Sequence, residues 1–332
     1  MTAPTPRPGI TSLSPAAGCA CKLPWTELTG VTGAAGPFDL ADAGSVPVAG
    51  SATILHSVDF GAPLVDDPTT AGTIAAMHAL SDIYAVGGEP IAADLILELP
   101  RSWPDRESLG STLRTALVDA LRSEGVGSIG GHTTIGSEVR VGASVVGTAT
   151  AVVRGLTGAR AGDALVLSQP LGVGLSVNAV QGGLLEPALG AEWIGSACTS
   201  NRRPSEALRA VSCTTSTDVT GYGLLGSALA IAARSEVALT IDFEVVPFFS
   251  TSGPAVAAGL FSTLAEDTLF LLAGDRVTSA RPVEHLLSLA SPETSGGLLA
   301  CVAPDRLDAL LRAVPTMAHI GTVSDGTGVH LP

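Results

Sequence analysis

An α+β protein of two domains is what this chain predicts, and three observations predict it. Helix-like and strand-like segments alternate along most of the 332 residues, in layers of the α/β type but without a clear parallel doubly wound order. The length suffices for two ordinary domains around a sizeable core. A polar, Gly-rich interruption at 155–163, GLTGARAGD, breaks the pattern near its middle. We therefore read residues 1–37 as a flexible, glycine-rich N-terminal arm, 38–154 as a first domain, and 155–332 as a C-terminal α+β domain.

The arm is rich in Pro, Gly and Thr with little periodicity, which predicts mobility rather than core. ATILHSV at 52–58 reads as a strand that ends at Asp59. The stretch 70–86 is Ala-rich, with Ile74, Met77, Leu80 and Tyr84 at helical spacing and Gly87-Gly88 as a stop. Residues 91–99 read as a buried strand. Arg106–Ser123 reads as an amphipathic helix, because Leu109, Leu113, Leu117 and Leu121 recur every four residues. A short strand, the loop Gly130-Gly131-His132-Thr133 and a long β stretch over 139–153 complete the first domain. Beyond the boundary, Ala164–Leu167 reads as a buried strand, and 222–233 and 306–313 as helices.

Composition narrows the function. Seventeen basic residues face 31 acidic ones, a net charge of −14, so neither nucleic acid nor an anionic membrane is an expected partner. A phosphorylated substrate stays open, because a divalent metal can bridge carboxylates to phosphates. Mean hydropathy is +0.43. Yet the longest uncharged apolar stretches, 141–153 and 221–233, are too short to span a bilayer. The first fifteen residues have no apolar signal region, and the five cysteines are odd in number and widely spaced, unlike a secreted disulfide framework. A soluble cytoplasmic protein is expected. Of the 17 basic residues only Lys22 is a lysine, so that position calls for an ammonium that a planar guanidinium cannot replace.

Four sets of residues could carry chemistry. Gly18-Cys19-Ala20-Cys21-Lys22 places a thiol three residues from the single lysine on an expected flexible, exposed segment. A nearby ammonium favours the thiolate, and a mobile cation can close over polyphosphate; the alternative is an incidental pair of small residues. Asp42, Asp59, Asp82 and Asp218 lie at the ends or edges of apolar elements, where most aspartates are caps or turns. Asp82 stands apart, an acid among Ala, Leu and Ile that must find a partner. Carboxylates converging from separate elements would make a Mg²⁺ site. The glycine loops at 86–90, 130–133 and 294–297 match no Walker or GxGxxG pattern, so each is a tight turn or a set of backbone donors to phosphate. His132 reads as a loop histidine, and His56, His78, His285, His319 and His330 show no metal-ligand spacing.

Taken in order, SLSPAAGCACKLP (12–24), SVDFGAPLVDDP (57–68), ALSDIYAVGGEPIAA (79–93), GGHT (130–133), TDVTGYGLLG (217–226) and PETSGGLL (292–299) resemble the selenophosphate synthetase (selenide, water dikinase) family over nearly the whole chain. GCxCK with a downstream TDVTGxGLLG is the specific combination. The resemblance implies the two-domain fold of aminoimidazole ribonucleotide synthetase and dimerisation through the N-terminal domains. It implies conversion of ATP, selenide and water to selenophosphate, AMP and orthophosphate. It puts Cys19 at the catalytic Cys or selenocysteine position and Lys22 at the essential lysine. Asp42, Asp82 and Asp218 fall on magnesium-ligand positions. Lys22, Asp59, Asp82, the stretch Asp39, Leu40 and Ala41, and the stretch Gly131, His132 and Thr133 fall on nucleotide-site positions. It further implies a site shared between two copies of the chain. Phosphoryl transfer suits such residues, since it needs positioning and charge neutralisation more than covalent help.

The chain departs from the family pattern at four places. Ala41-Asp42 lacks one carboxylate of a pair, Ser227 stands where a histidine is common, Gln169 replaces a lysine, and no GGTxxN-like stretch is recognisable at 261–267. Two other readings compete: a superfamily phosphotransferase of the thiamine monophosphate kinase or hydrogenase-maturation type, which is not expected to carry GCACK, and a nucleotide-binding regulator without turnover.

Overall fold

The computed structural model describes residues 9–34, 38, 41–48, 53–149 and 152–332. Asp39 and Leu40 lie outside the described residues. The first sheet is built from β1 (Gly44–Pro47), β2 (Thr53–Gly61), β3 (Glu89–Pro100), β4 (Gly127–Gly136) and β5 (Arg140–Ala149), in the order β1-β2-β5-β3-β4. Every pairing is antiparallel except β3 with β4, the far edge. Alternation along β2 sends Leu55 and Ser57 inward and leaves Ile54, Val58 and Phe60 on the outer face.

The inner face is covered by α2 (Pro68–Ala85) and α3 (Arg106–Ser123), which follow the short α1 (Trp25–Thr32). Helix α2 starts where the Asp67 carboxylate accepts the Thr70 N–H at 2.8 Å and Pro68 occupies the first turn. The two helices cross closely at Gly72, where a Cβ would stand 2.6 Å from the Leu113 carbonyl oxygen. Because α2 is Ala-rich and its only charged residue is Asp82, it can be covered on both sides, by the sheet and by the C-terminal half.

The C-terminal half holds β6 (Ala164–Leu167), α4 (Val173–Gln181), α5 (Ala191–Ala197), α6 (Arg202–Ala210), β7 (Thr215–Asp218) and α7 (Gly223–Ser235). Strands β8 (Ala238–Ile241), β9 (Val277–Ser279), β10 (Leu298–Val302), β11 (Ala318–Ser324) and β12 (Gly328–Leu331) complete a mixed sheet ordered β7-β10-β6-β11-β8-β12-β9. Only its last two pairings are parallel, which is why no doubly wound order showed in the sequence. Arg154 joins the halves. Buried, it donates to the carbonyls of Tyr84 at 2.6 Å and Ala85 at 3.2 Å on α2 and of Ser205 at 3.0 Å on α6. Burial pulls its pKa down to about 10, so it remains charged among carbonyl dipoles.

Three local expectations are corrected. Asp59 lies inside β2 rather than ending it. Gly130-Gly131-His132-Thr133 is not a loop but the middle of β4, because pairing with β3 continues from Ala92 to Pro100. Of the β stretch expected over 139–153, Arg140–Ala149 is strand, and Val152 and Val153 are not.

Candidate active site

Three acids distant in sequence meet where the two halves join. Asp42 precedes β1, Asp82 lies near the C-terminus of α2, and Asp218 ends β7. A carboxylate oxygen from each lies within 4.8 Å of the others. Hydroxyls orient all three: Thr217 donates to Asp42 at 2.8 Å, Ser81 and Thr220 donate to the two oxygens of Asp218 at 2.6 and 3.4 Å, and Ser57 donates to Asp82. Asn201 Nδ2 donates to Ser81 Oγ at 3.0 Å and to the Gly296 carbonyl at 2.8 Å, and Gln169 Nε2 donates to Asn201 Oδ1 at 3.3 Å. A neutral amide at position 169 thus extends the support of Asp218 without adding a buried charge.

This cluster is electrostatically incomplete. Burial, then repulsion from Asp218, pushes the Asp42 carboxyl up to about 8. Burial and the neighbouring carboxylates of Asp59, Asp218 and Asp42 hold Asp82 well above the ordinary range. Burial raises Asp218 as well, against the Ser81 hydrogen bond. Asp59 goes the other way: burial opposes ionisation, but Lys22 and His78 outweigh it. Hard oxygen donors that repel one another and need positive charge form a donor set for a divalent cation.

The N-terminal segment sits against this cluster. Lys22 Nζ lies 3.4 Å from Asp59 Oδ1. Burial would lower the Lys22 pKa, but Asp59, followed by Cys19, holds it well above its ordinary value. Cys19 is 4% exposed, which corrects the expectation of an exposed thiol. The chain pins it on two sides: Gly18 N–H donates to the Ala62 carbonyl at 3.0 Å, and Cys19 N–H donates to Thr294 Oγ1 at 2.9 Å. Further along, Tyr222 OH donates to the Leu23 carbonyl at 2.8 Å, and Trp25 stacks on Tyr222 with ring centroids 4.7 Å apart. Lys22, Asp42, Asp59, Asp82, Asp218 and Trp25 all line one open cleft of about 520 Å³. Ala41 and Ser227 line it too, and Ser227 Oγ donates to the Asp218 carbonyl at 3.0 Å.

Gly131, His132 and Thr133 do not join this cleft. They lie on the exposed edge strand β4, with β5 and β3 between them and β2, and line a separate hollow of about 320 Å³ with Leu95, Leu97 and Arg114.

Comparison with known proteins now bears on this arrangement. Residues 40–153 match the family "AIR synthase related protein, N-terminal domain", and residues 160–331 match "AIR synthase related protein, C-terminal domain". A selenide, water dikinase of Rhizobium meliloti (strain 1021) is 33% identical over 337 residues, covering 96% of each chain. One from Geobacter metallireducens is 34% identical over 315 residues, covering 91% of each. The chain belongs to the selenide, water dikinase family. The wider fold is shared with solved structures: a thiamine monophosphate kinase from Aquifex aeolicus has a TM-score of 0.66 at 20% identity, covering 92% of this chain and 94% of that one. The hydrogenase maturation protein HypE in complex with ATP has a TM-score of 0.64 at 19% identity, covering 86% and 80%. As a selenide, water dikinase family member the chain is a kinase of two AIR synthase-like domains. Among the described residues no helix is long and apolar enough to cross a membrane.

Sequence reading passed over several residues that the cleft uses. His78 lies four residues before Asp82 on α2, hence on the same helical face, and its Nε2 is 3.1 Å from Cys19 Sγ. That i,i+4 pairing inside an Ala-rich helix was the available signal. Ser57, Thr217 and Asn201 left none, because hydroxyls and amides are common and only folding aims them.

Proposed function

We propose that this chain synthesises selenophosphate from ATP, selenide and water, releasing AMP and orthophosphate, with the reaction in the cleft between its two halves. The observation that carries the proposal is the meeting of Asp42, Asp82 and Asp218 within 4.8 Å beside the Lys22–Asp59 pair and the buried Cys19. Asp42, Asp82 and Asp218 would hold Mg²⁺, which when bound supplies charge neutralisation for a triphosphate. Lys22 contributes a mobile point charge toward the phosphates, and Asp59 orients it. The hydroxyls of Ser57, Ser81 and Thr217 keep the carboxylates aimed into the cleft. The segment from Gly18 to Trp25, tied down by Thr294 and Tyr222, covers one side and limits water around the acceptor. Ala41 and Ser227 line this polar cleft in place of the more polar residues usual in the family, while the three-acid cluster persists.

The second part of the proposal is a homodimer with a shared site. Among the described residues the outer face of the first sheet is unpartnered, and on it β1 and β2 carry Val46, Ile54, Val58 and Phe60, all exposed. A second copy covering this apolar face would bring the partner's exposed Gly131, His132 and Thr133 strand toward the nucleotide. The cytoplasm is the compartment that suits five free cysteines.

The deciding assay uses the purified protein with ATP, Mg²⁺ and selenide under reducing, anaerobic conditions. Formation of AMP and selenophosphate in step is expected. ADP as the final product, independent of selenide, would favour a simple kinase or ATPase instead.

A further inference from the structure

His78 is buried, carries no assigned role in handling ATP, and touches Cys19. Its Nε2 lies 3.1 Å from Cys19 Sγ and 3.6 Å from Asp59 Oδ1. The other ring nitrogen, Nδ1, accepts the Ser295 N–H at 3.3 Å. Thr294, next to it, accepts the Cys19 N–H at 2.9 Å, so one short loop braces both partners of the sulfur–imidazole contact. Ser295 holds φ at 55°, a left-handed conformation that a non-glycine residue adopts only when its surroundings impose it. Cys19, Lys22 and His78 also line a cavity of about 30 Å³, room for a guest the size of one water molecule.

We infer that His78 is a positioning residue that keeps Cys19 as a thiolate at neutral pH, by aiming its Nε2–H at the sulfur. With Nδ1 accepting the Ser295 N–H, the neutral ring carries its hydrogen on Nε2; the doubly protonated ring carries one there as well, and its second hydrogen, on Nδ1, then gives up the bond from Ser295. In both charge states the atom facing sulfur is a donor. Ionisation is simply Cys–SH to Cys–S⁻ with the proton released to water; no electron moves and His78 keeps its Nε2 hydrogen.

The groups around the sulfur favour this state. Lys22, from the same segment, brings positive charge. Asp59, from β2, opposes the thiolate but is itself engaged by Lys22 and His78. Glu293, from the loop before β10, has its carboxyl raised to about 8 by burial, and its two oxygens are turned to the Gly172 and Val173 N–H groups at 2.7 and 2.9 Å. Tyr222 has its phenol raised by burial and stays neutral. Burial disfavours the Cys19 thiolate, and His78 and then Lys22 outweigh it, bringing its pKa below the ordinary thiol value. Burial likewise disfavours a charged His78, and the Cys19 thiolate and Asp59 carry its pKa up to about 9. Cys21 does not share this environment: its sulfur takes the Arg140 guanidinium at 3.3 Å.

The test needs neither ATP nor selenide, so it stands apart from the selenophosphate assay and can succeed or fail separately. Thiolate absorbance of the reduced protein is followed from about pH 5 to pH 10, and the Cys19→Ser protein is subtracted to isolate this sulfur. Wild type should titrate below the ordinary thiol value of about 8.5. His78→Leu should raise the midpoint by about one unit or more, roughly a ten-fold loss of thiolate at neutral pH. A wild-type midpoint at or above about 8.5 overturns the inference, and this holds even if the variant fails to fold. An unchanged midpoint in folded His78→Leu overturns it too, since a packing role would alter stability and leave the titration alone.

Discussion

Lys22 Nζ stands 3.4 Å from Asp59 Oδ1 and is the one ammonium among 17 basic side chains. Its side chain keeps 35% of its surface open toward the cleft, so the charge is available to a ligand as well as to Asp59. An ammonium offers three rotatable donors around a compact charge, whereas guanidinium is a wide planar fork. In this crowded position, where Lys22 carbons would meet a Cβ placed on Gly221 at 2.7 Å, the fork has little room. Lys22→Arg should therefore fold normally, by circular dichroism and melting temperature, and lose activity by about 10²-fold in AMP formation. Full activity in that variant would mean that the single lysine is accidental. The same crowding explains why Cys19 could be picked out in the sequence while His78 could not: Cys19 has Lys22 as a sequence neighbour, and the imidazole arrives from 59 positions away.

At the scale of elements, β2, α2, β7 and the segment before β1 each deliver an acid to one place. Without a cation the arrangement is self-repelling, and its pH dependence has a definite sign. Asp42 has a pKa of about 8 in the folded protein against 3.8 ordinarily, so the folded state binds the extra proton across that window. Stability conferred by a raised carboxyl is present at low pH and lost as pH climbs toward the folded value. Asp82 and Asp218 shift the same way, and His78, raised to about 9, also loses stability as pH rises above its ordinary 6.5. Cys19 acts in the opposite sense over the upper part of this range, and the effect of Asp59 lies at lower pH. The sum predicts that the melting temperature of chelator-treated protein falls between about pH 6 and pH 8, on the order of 5 °C, and that Mg²⁺ removes most of the fall. A melting temperature that rises over this range, or that Mg²⁺ leaves unchanged at pH 8, would remove the metal role from these acids.

For the whole molecule, the two sheets have different fates. The second is covered by helices such as α7, and among the described residues the first is covered on one face only. On its open face Val46, Ile54, Val58 and Phe60 stand exposed on the neighbouring strands β1 and β2, with Phe60 51% exposed, so the apolar surface lies on that side of the sheet. A charge in its middle should prevent a second copy from docking without disturbing the core, because the side chain already faces outward. Phe60→Asp is expected to convert a dimer to a monomer in light scattering and to keep its melting temperature within a few degrees at low concentration. A wild-type protein that is monomeric at micromolar concentration would refute the shared site.

The helix over Arg106–Ser123 was legible to the residue, since four leucines at one spacing permit no other buried face. The strand Ala164–Leu167 was equally legible, and so was the family, through motifs whose residues are near neighbours in the chain. Local periodicity and short motifs are properties of contiguous residues, so a linear reading can recover them. The GGHT segment was misread because its glycines look like a turn, and only pairing with β3 stretches them into a strand. The contact of His78 with Cys19, the hydroxyls beneath each acid, and the neutral relay from Gln169 through Asn201 to Ser81 were decided by packing alone. Long-range geometry fixes these partners, because a hydrogen bond depends on distances of a few ångströms between groups that the chain separates by tens to hundreds of residues.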